Sequence, residues 1–405
     1  MKKIDLVIIP YNDFLKAEKF GFRSRDQHLM RHIMRDDRIE KIVIVERPRS
    51  IWALLKFSKL TFRGERVEKI GRGLRKINDK IFLFEFFEFG LKQAISKYLW
   101  YADVYGSDKF IDNFFEVTET IGIEDAIVVS FNPFANDFIK SVKPKFFVFD
   151  AMDNFCFHPE FKSLKSFMCK SFEWISVNAD LIFCVNENVK KFFKTNYPIS
   201  CQKLNILPNG VERNLNSRIY PAEDVLKIKS PRIGYVGVIS ERIDFELVEY
   251  IASERKEYNF IFIGERYGKV GRWMKRLKKL NNIYFLGVKH YEEIPSYIAT
   301  FDVCIVPHKV DDFTLSNDPM KIYEYLYFGK PVVATPISIS EELRDYVFIG
   351  QSRNEFLHYL DDALNFSKVE SFLSRQRNAI KEQMFWDKRA EDMIDKILSM
   401  CVNLT

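Results

Sequence analysis

Short runs made almost wholly of apolar residues recur along this chain, and they constrain its fold more than any other feature. In the first half they are Leu6–Ile9, Ile42–Val45, Ile127–Ser130, Phe146–Phe149 and Leu181–Val185. In the second half they are Phe260–Gly264, Ile283–Gly287, Asp302–Pro307 and Val332–Ala334. A strand exposed on one face alternates apolar and polar residues, whereas a strand covered on both faces by helices reads as a continuous apolar run. Such strands separated by helix-length segments predict an α/β protein with parallel sheets. The pattern restarts at Arg232 after a polar stretch, residues 213–230, that carries Pro221 and reads as a linker. A length of 405 residues suits two domains of this kind. The domains are expected at 1–213 and 214–381.

The stretch Asn317–Thr335, NDPMKIYEYLYFGKPVVAT, carries the densest functional signal. Ile322, Tyr325, Leu326 and Gly329 fall at helical spacing. Asp318 is expected to cap this helix and Pro319 to open it, with Gly329 closing it before the strand Val332–Ala334. A helix start with Lys321 in its first turn gathers free amide N–H groups and a cation where an anion binds. Glu324 lies three residues on and faces the same way, where it would meet a hydroxyl-rich ribose. The same pattern also suits an ordinary capped amphipathic helix with a solvated Glu.

This stretch resembles the donor-binding motif of GT-B glycosyltransferases of the family 4 type, in the form DP-x-K-x-x-E-Y-L-x-x-G-K-P-V-V. Further resemblances are the R-x-Q-H-L segment at Arg25–Leu29, the acidic turn Phe149–Phe155, the sequence Pro208-Asn209-Gly210-Val211, and a terminal helix after Trp386. The resemblance implies a GT-B fold: two Rossmann-like domains facing each other across a cleft, with residues 382–405 crossing back to the first domain. It implies a retaining transfer from a nucleotide-diphosphate sugar, which is a substrate rather than a cofactor. Asn317, Asp318, Pro319, Met320, Lys321 and Glu324 would then hold the donor, Glu324 at the ribose. Val288 and Lys289 would receive the base through their backbone. Gly237 and Arg242 belong to a strand–loop–helix turn, Gly234-Tyr235-Val236-Gly237 and onward, in which glycines let amides approach the diphosphate. Arg25, His28, Asp150 and Asp153 would line the acceptor side, although Asp150 serves equally to cap the following helix. Arg242 and Lys321 would stabilise the leaving diphosphate by fixed charge, with Asp153 beside the acceptor hydroxyl. One departure matters: the fuller motif has a second Glu eight residues before Glu324, where this chain has Ser316.

The formal charge of +6 is local. Between Lys56 and Lys80 nine basic residues stand against three acidic ones, interleaved with Trp52, Leu54, Leu55, Phe57, Leu60 and Phe62 just before or within the run. This composition, over 51–80, suits an anionic membrane surface at the inner face of the membrane, and suits equally a solvated loop with a few aromatics tucked into the domain. The acceptor implied by the resemblance, a growing surface glycan on a lipid carrier, fits such a location. No nucleic-acid motif accompanies the basic residues, so nucleic acid is not an expected partner.

The six cysteines form no C-x-x-C pair, as expected of reduced thiols in a cytosolic protein, and no signal peptide opens the chain. The absence of D-x-D, of clustered Cys and His, of G-x-S-x-G and of a P-loop points away from a metal-held diphosphate, a zinc site, an α/β-hydrolase and an NTPase. Two alternatives share the fold. A sugar-nucleotide 2-epimerase would need further carboxylates as acid and base. A non-catalytic nucleotide-binding or scaffold protein is the reading that Ser316 keeps open.

Overall fold

The computed structural model describes residues 3–50, 68–70, 73–88, 96–213, 215 and 219–402. The chain divides into two units: Met1–Cys156 with Phe161–Leu207 and Ala390–Thr405, and Phe157–Glu160 with Pro208–Arg389.

The strands of the first unit are β1 (Ile4–Ile9), β2 (Ile39–Val45), β3 (Arg49–Ser50), β4 (Glu68–Ile70), β5 (Leu74–Lys76), β6 (Ile81–Phe84), β7 (Phe87–Glu88), β8 (Ile127–Ser130), β9 (Phe146–Ala151), β10 (Leu181–Cys184) and β11 (Leu204–Ile206). Nine of them form one sheet in the order β11-β10-β9-β8-β1-β2-β6-β5-β4. All pairings are parallel except those of β5 with β4 and β6. The order reverses between β1 and β8, where Val7 pairs with Val128. A Rossmann sheet opens its ligand crevice at the carboxyl ends of strands at such a reversal. Helices cover the sheet with a largely aromatic layer. Phe84 meets Phe110 edge-on at 5.2 Å, and Phe114 meets Phe138 at 4.8 Å. Such pairs add about 0.5–1.5 kcal/mol each beyond the area they bury.

The hairpin β4–β5 and strand β6 were not foreseen, because their residues lie in or just after the basic segment. Leu74 is fully buried against the sheet. Arg75 pairs with Glu85, and Lys76 with Asp79. The greater part of the expected membrane contact, residues 51–67 with 71–72 and so Arg63, Arg66 and Arg72, lies outside the described residues.

The second unit carries β12 (Arg232–Val236), β13 (Asn259–Ile263), β14 (Ile283–Gly287), β15 (Val303–Val306), β16 (Val332–Ala334) and β17 (Val347–Ile349). Their order is β14-β13-β12-β15-β16-β17, all parallel, with the reversal between β12 and β15. Residues 208–213 fall in this unit because Val211 is bonded on both sides to the chain before the last helix. Its N–H donates to Met384 O (3.0 Å), and its carbonyl accepts from Trp386 N (3.1 Å). The last helix, Trp386–Val402, passes from one unit into the other at Arg389–Ala390. Among the described residues no helix is long and apolar enough to cross a membrane.

Candidate functional site

In the second unit the carboxyl ends of β12 and β15, the strands on either side of the reversal, meet the start of the helix Met320–Tyr327. That helix begins one residue later than its sequence suggests. Pro319 takes the N-cap position and no side chain caps the first turn. Asp318 is turned elsewhere. Its Oδ2 accepts from Asn209 N (2.7 Å) and from the Tyr323 hydroxyl (2.9 Å), while its carbonyl accepts from Asn209 Nδ2 (2.5 Å). The expected cap is therefore a tether to residue 209; Ile322 N donates to Pro319 O (3.0 Å), and no side chain caps the turn. The helix ends as expected at Gly329 (φ +68°), where Gly329 N donates to Leu326 O and Lys330 N to Tyr325 O.

Lys321 rises from this first turn over the ring of Tyr235, 4.9 Å from its centre. Below it lies Gly237 (φ +137°), where a Cβ would stand 3.1 Å from Lys321 Cε and 3.2 Å from Nζ. Gly237 is thus the glycine that lets Lys321 lie down on the loop. Gly234 is not part of the turn. It sits inside β12, where a Cβ would come within about 2 Å of the Phe301 ring, so its role is strand–helix packing. The helix after the loop begins only at Phe245, and its start is capped by Asp244, which accepts from Leu247 N (3.0 Å).

Arg242 reaches the same place from the loop. Its Nε donates to Ser240 Oγ (3.2 Å), and its guanidinium lies 5.7 Å from the Phe313 ring centre. Neither Lys321 nor Arg242 forms an ion pair with a carboxylate among the described residues. Burial pulls Lys321 down to about 7, and the Arg242 charge adds to the effect. His308, buried at the end of β15, shares a hydrogen bond with the Tyr235 hydroxyl at 3.2 Å. Burial holds it well below the ordinary imidazole value, with Lys321 and Arg242 contributing. His158 is lowered to about 3 by burial and by Arg242, and its Nδ1 accepts from Glu160 N at 3.2 Å. Two cations and two neutral imidazoles thus collect beside an uncapped helix start. This arrangement suits a polyvalent oxyanion.

One helical turn on, Glu324 is 8% exposed, and its Oε1 accepts from the Tyr291 hydroxyl at 2.9 Å. Burial pushes Glu324 up to about 7 against the Tyr291 bond and the Lys321 charge, with Glu212 adding to the rise. Ser316 donates to Asp312 O (2.5 Å) and is itself buried, so its hydroxyl serves the local turn. Asn317 and Met320 are half-buried, and Pro319 is buried. Val288 is 44% exposed just after β14. Lys289 next to it pairs with Asp224 (2.8 Å) and lies 4.9 Å from the Tyr297 ring centre, so its side chain is already engaged.

The first unit arranges its expected residues differently. Arg25 and Asp150 are brought together as a two-pronged ion pair, Nε to Oδ1 and Nη2 to Oδ2, both at 2.8 Å. They are 2% and 0% exposed. Asp150 therefore caps no helix. Burial raises its pKa and Arg25 opposes the rise. His28 is buried on the same helix, Arg25–Ile33, and Asp153 is half-buried beyond β9. Sequence reasoning missed Tyr235, His308 and Tyr291. A His directly after the apolar run Asp302–Pro307 was a usable signal for His308; nothing local marks Tyr291 as the partner of Glu324.

Two Rossmann-type sheets in one chain, the second with Lys321 and Arg242 at its reversal point, give the GT-B fold of glycosyltransferases. Residues 230–366 match the family "Glycosyl transferases group 1". TuaH of Bacillus subtilis (strain 168), named as a teichuronic acid biosynthesis glycosyltransferase, is 26% identical over 212 residues, 51% of this chain and 53% of that protein. The match thus spans about half the length of that relative. Anabaena HepE, whose crystal structure is a complex with UDP, has a TM-score of 0.67 at 12% identity, covering 98% of this chain and 100% of that one. The alpha,alpha-trehalose 6-phosphate synthase of Burkholderia multivorans has a TM-score of 0.66 at 9% identity, covering all of both chains.

Proposed function

We infer that this protein is a glycosyltransferase that moves a sugar from a nucleoside-diphosphate donor to a surface-glycan acceptor. The observation that carries the reading is the convergence of Lys321 and Arg242, without a carboxylate partner among the described residues, at the uncapped start of Met320–Tyr327. There the diphosphate is held and its developing charge is offset as the glycosidic bond breaks. Glu324 accepts from the ribose hydroxyls, oriented by Tyr291. Val288 and Lys289 meet the base with their backbone. The transfer proceeds with retention, as in enzymes of the family 4 type, without a bound metal. Asp153 stands by the acceptor hydroxyl. The acceptor is a glycan on a lipid carrier, and residues 51–80 contact the inner face of the membrane. The group 1 match over the second unit and the UDP complex of HepE support the donor class.

The test is thermal stabilisation by UDP, GDP, dTDP, ADP and CMP, because a ligand that binds only the folded state raises the melting temperature. A shift with one diphosphate names the base; no shift at millimolar ligand removes the donor site. For the membrane contact, neutralising Arg63, Arg66 and Arg72 is expected to reduce binding to anionic liposomes in a salt-dependent way. Unchanged liposome binding would remove that segment from the contact.

A second reading, a nucleotide-binding protein without transferase activity, is favoured by Ser316, which replaces an acid and turns its hydroxyl to Asp312. Release of nucleoside diphosphate from a sugar nucleotide, with acceptor present, separates the two.

A further inference from the structure

The carboxyl edge of the first unit's sheet holds an arginine that the donor chemistry does not use. Arg47 follows β2 and is half-buried. Its guanidinium carbon lies 4.4 Å from the centre of the Tyr101 ring and 5.4 Å from that of Tyr11. Among the described residues no hydrogen bond or ion pair engages its nitrogens. Other arginines of this unit are engaged. Arg49 bridges Asp13 (3.1 Å), Glu46 (3.2 Å) and Glu85 (3.5 Å), Arg75 pairs with Glu85, and Arg25 with Asp150. Asp13 is the carboxylate whose charge reaches Arg47, and its Oδ1 is already on Arg49.

The position adds to the argument. Tyr11 follows β1 and Asn132 follows β8, the two strands between which the sheet order reverses. Asn132 Nδ2 donates to Pro10 O and to the Tyr105 hydroxyl, both at 3.3 Å, which fixes the floor beside the cation. A guanidinium presents five N–H donors in a rigid planar fork that matches the two oxygens of a carboxylate or phosphate. The two tyrosine rings meet the guanidinium through their π faces and take none of its N–H donors by a hydrogen bond among the described residues.

We propose that Arg47, flanked by Tyr11 and Tyr101, is the anchor of a binding site for an oxyanion, a carboxylate or phosphate, carried by a sugar-containing ligand. That the ligand is the glycosyl acceptor rests on the glycosyltransferase reading; the oxyanion site does not.

The experiment titrates full-length protein with sodium glucuronate, glucose and inorganic phosphate at fixed ionic strength, by calorimetry. It uses the Lys321→Ala, Arg242→Ala background so that the second unit's two cations do not contribute. At least one of the two oxyanions is expected to bind while glucose does not, and Arg47→Gln is expected to weaken that binding by about tenfold or more. Binding of glucuronate alone assigns a carboxylate sugar, and binding of phosphate alone assigns a phosphate. If Arg47→Gln does not fold, Arg47→Lys keeps the charge and loses the fork, and weaker binding is expected there too. Equal binding with and without the Arg47 change, or no oxyanion binding at all, overturns the site. UDP binding by the wild-type protein is a separate measurement, so its failure would sink the donor reading alone.

Discussion

In the first unit Arg25 and Asp150 lie toward the carboxyl edge of the sheet with both prongs of the guanidinium on both carboxylate oxygens, out of water. In the second unit Lys321 and Arg242 lie at the same edge of an equivalent sheet with no carboxylate paired to either among the described residues. Both pairs stand out in the sequence for the same reason, charge at the carboxyl ends of strands and in the helices that follow. The structure separates them by what each charge meets. A buried pair that satisfies itself holds two segments in place, whereas cations held together without a counter-ion call for one from outside.

The comparison breaks most visibly at Asp150. Asp150→Ala takes the carboxylate away from a buried guanidinium and is expected to cost about 3–5 kcal/mol of stability in urea unfolding. Replacing both partners with apolar residues is expected to cost far less. A loss below about 1 kcal/mol for Asp150→Ala would mean that the pair is open to water and the contrast between the units is false.

Lys321→Ala tests the other side. It is expected to weaken UDP binding by about 3 kcal/mol, with stability unchanged or raised, since a desolvated cation is removed. Lost stability with unchanged affinity would make Lys321 a structural residue. Glu324→Ala is expected to weaken UDP binding by about 2 kcal/mol, and Tyr291→Phe by about 1 kcal/mol, because the hydroxyl only orients the carboxylate. A Tyr291→Phe effect equal to that of Glu324→Ala would place the hydroxyl itself on the ligand.

The smallest effect is a proton. Lys321 is lowered to about 7 in the folded chain, so the unfolded chain binds more protons between about 7 and the ordinary lysine value. Stability gains from this group as pH rises through that window. Glu324 is raised to about 7, so the folded chain binds more protons between the ordinary glutamate value and about 7. Its contribution falls as pH rises there. At pH 8 Glu324 is largely ionised and Lys321 largely neutral. A bound diphosphate restores the lysine charge, so calorimetry in buffers of different ionisation heat is expected to show a fraction of a proton taken up. Lys321→Arg, which is charged throughout, is expected to abolish that uptake.

Much of this architecture was legible along the chain. The apolar runs placed strands β1, β2, β8, β9, β10 and β13–β16 close to where they lie, because a strand covered on both faces leaves an unbroken apolar record. The helix carrying Lys321 and Glu324 and its end at Gly329 were equally readable, since helical spacing and a left-handed glycine are local signals. The hairpin β4–β5 was not, because basic residues on a short edge ribbon look like a solvated loop. Gly234 was misread for a related reason: spacing cannot tell a glycine that clears Phe301 from one that clears a phosphate.

The sequence by itself determined two parallel α/β halves, the place of the helix Met320–Tyr327 and the residue types gathered near it. Each of these depends on interactions within a few residues or on burial averaged along a segment. Only the tertiary structure decided which charges are satisfied. Asp150 meets an arginine 125 residues away, Tyr291 meets Glu324 across 33, and Asp318 gives up its cap for a residue 109 positions earlier. Those partners are chosen by how the sheets bring loop ends together, and nothing local in the chain encodes that choice.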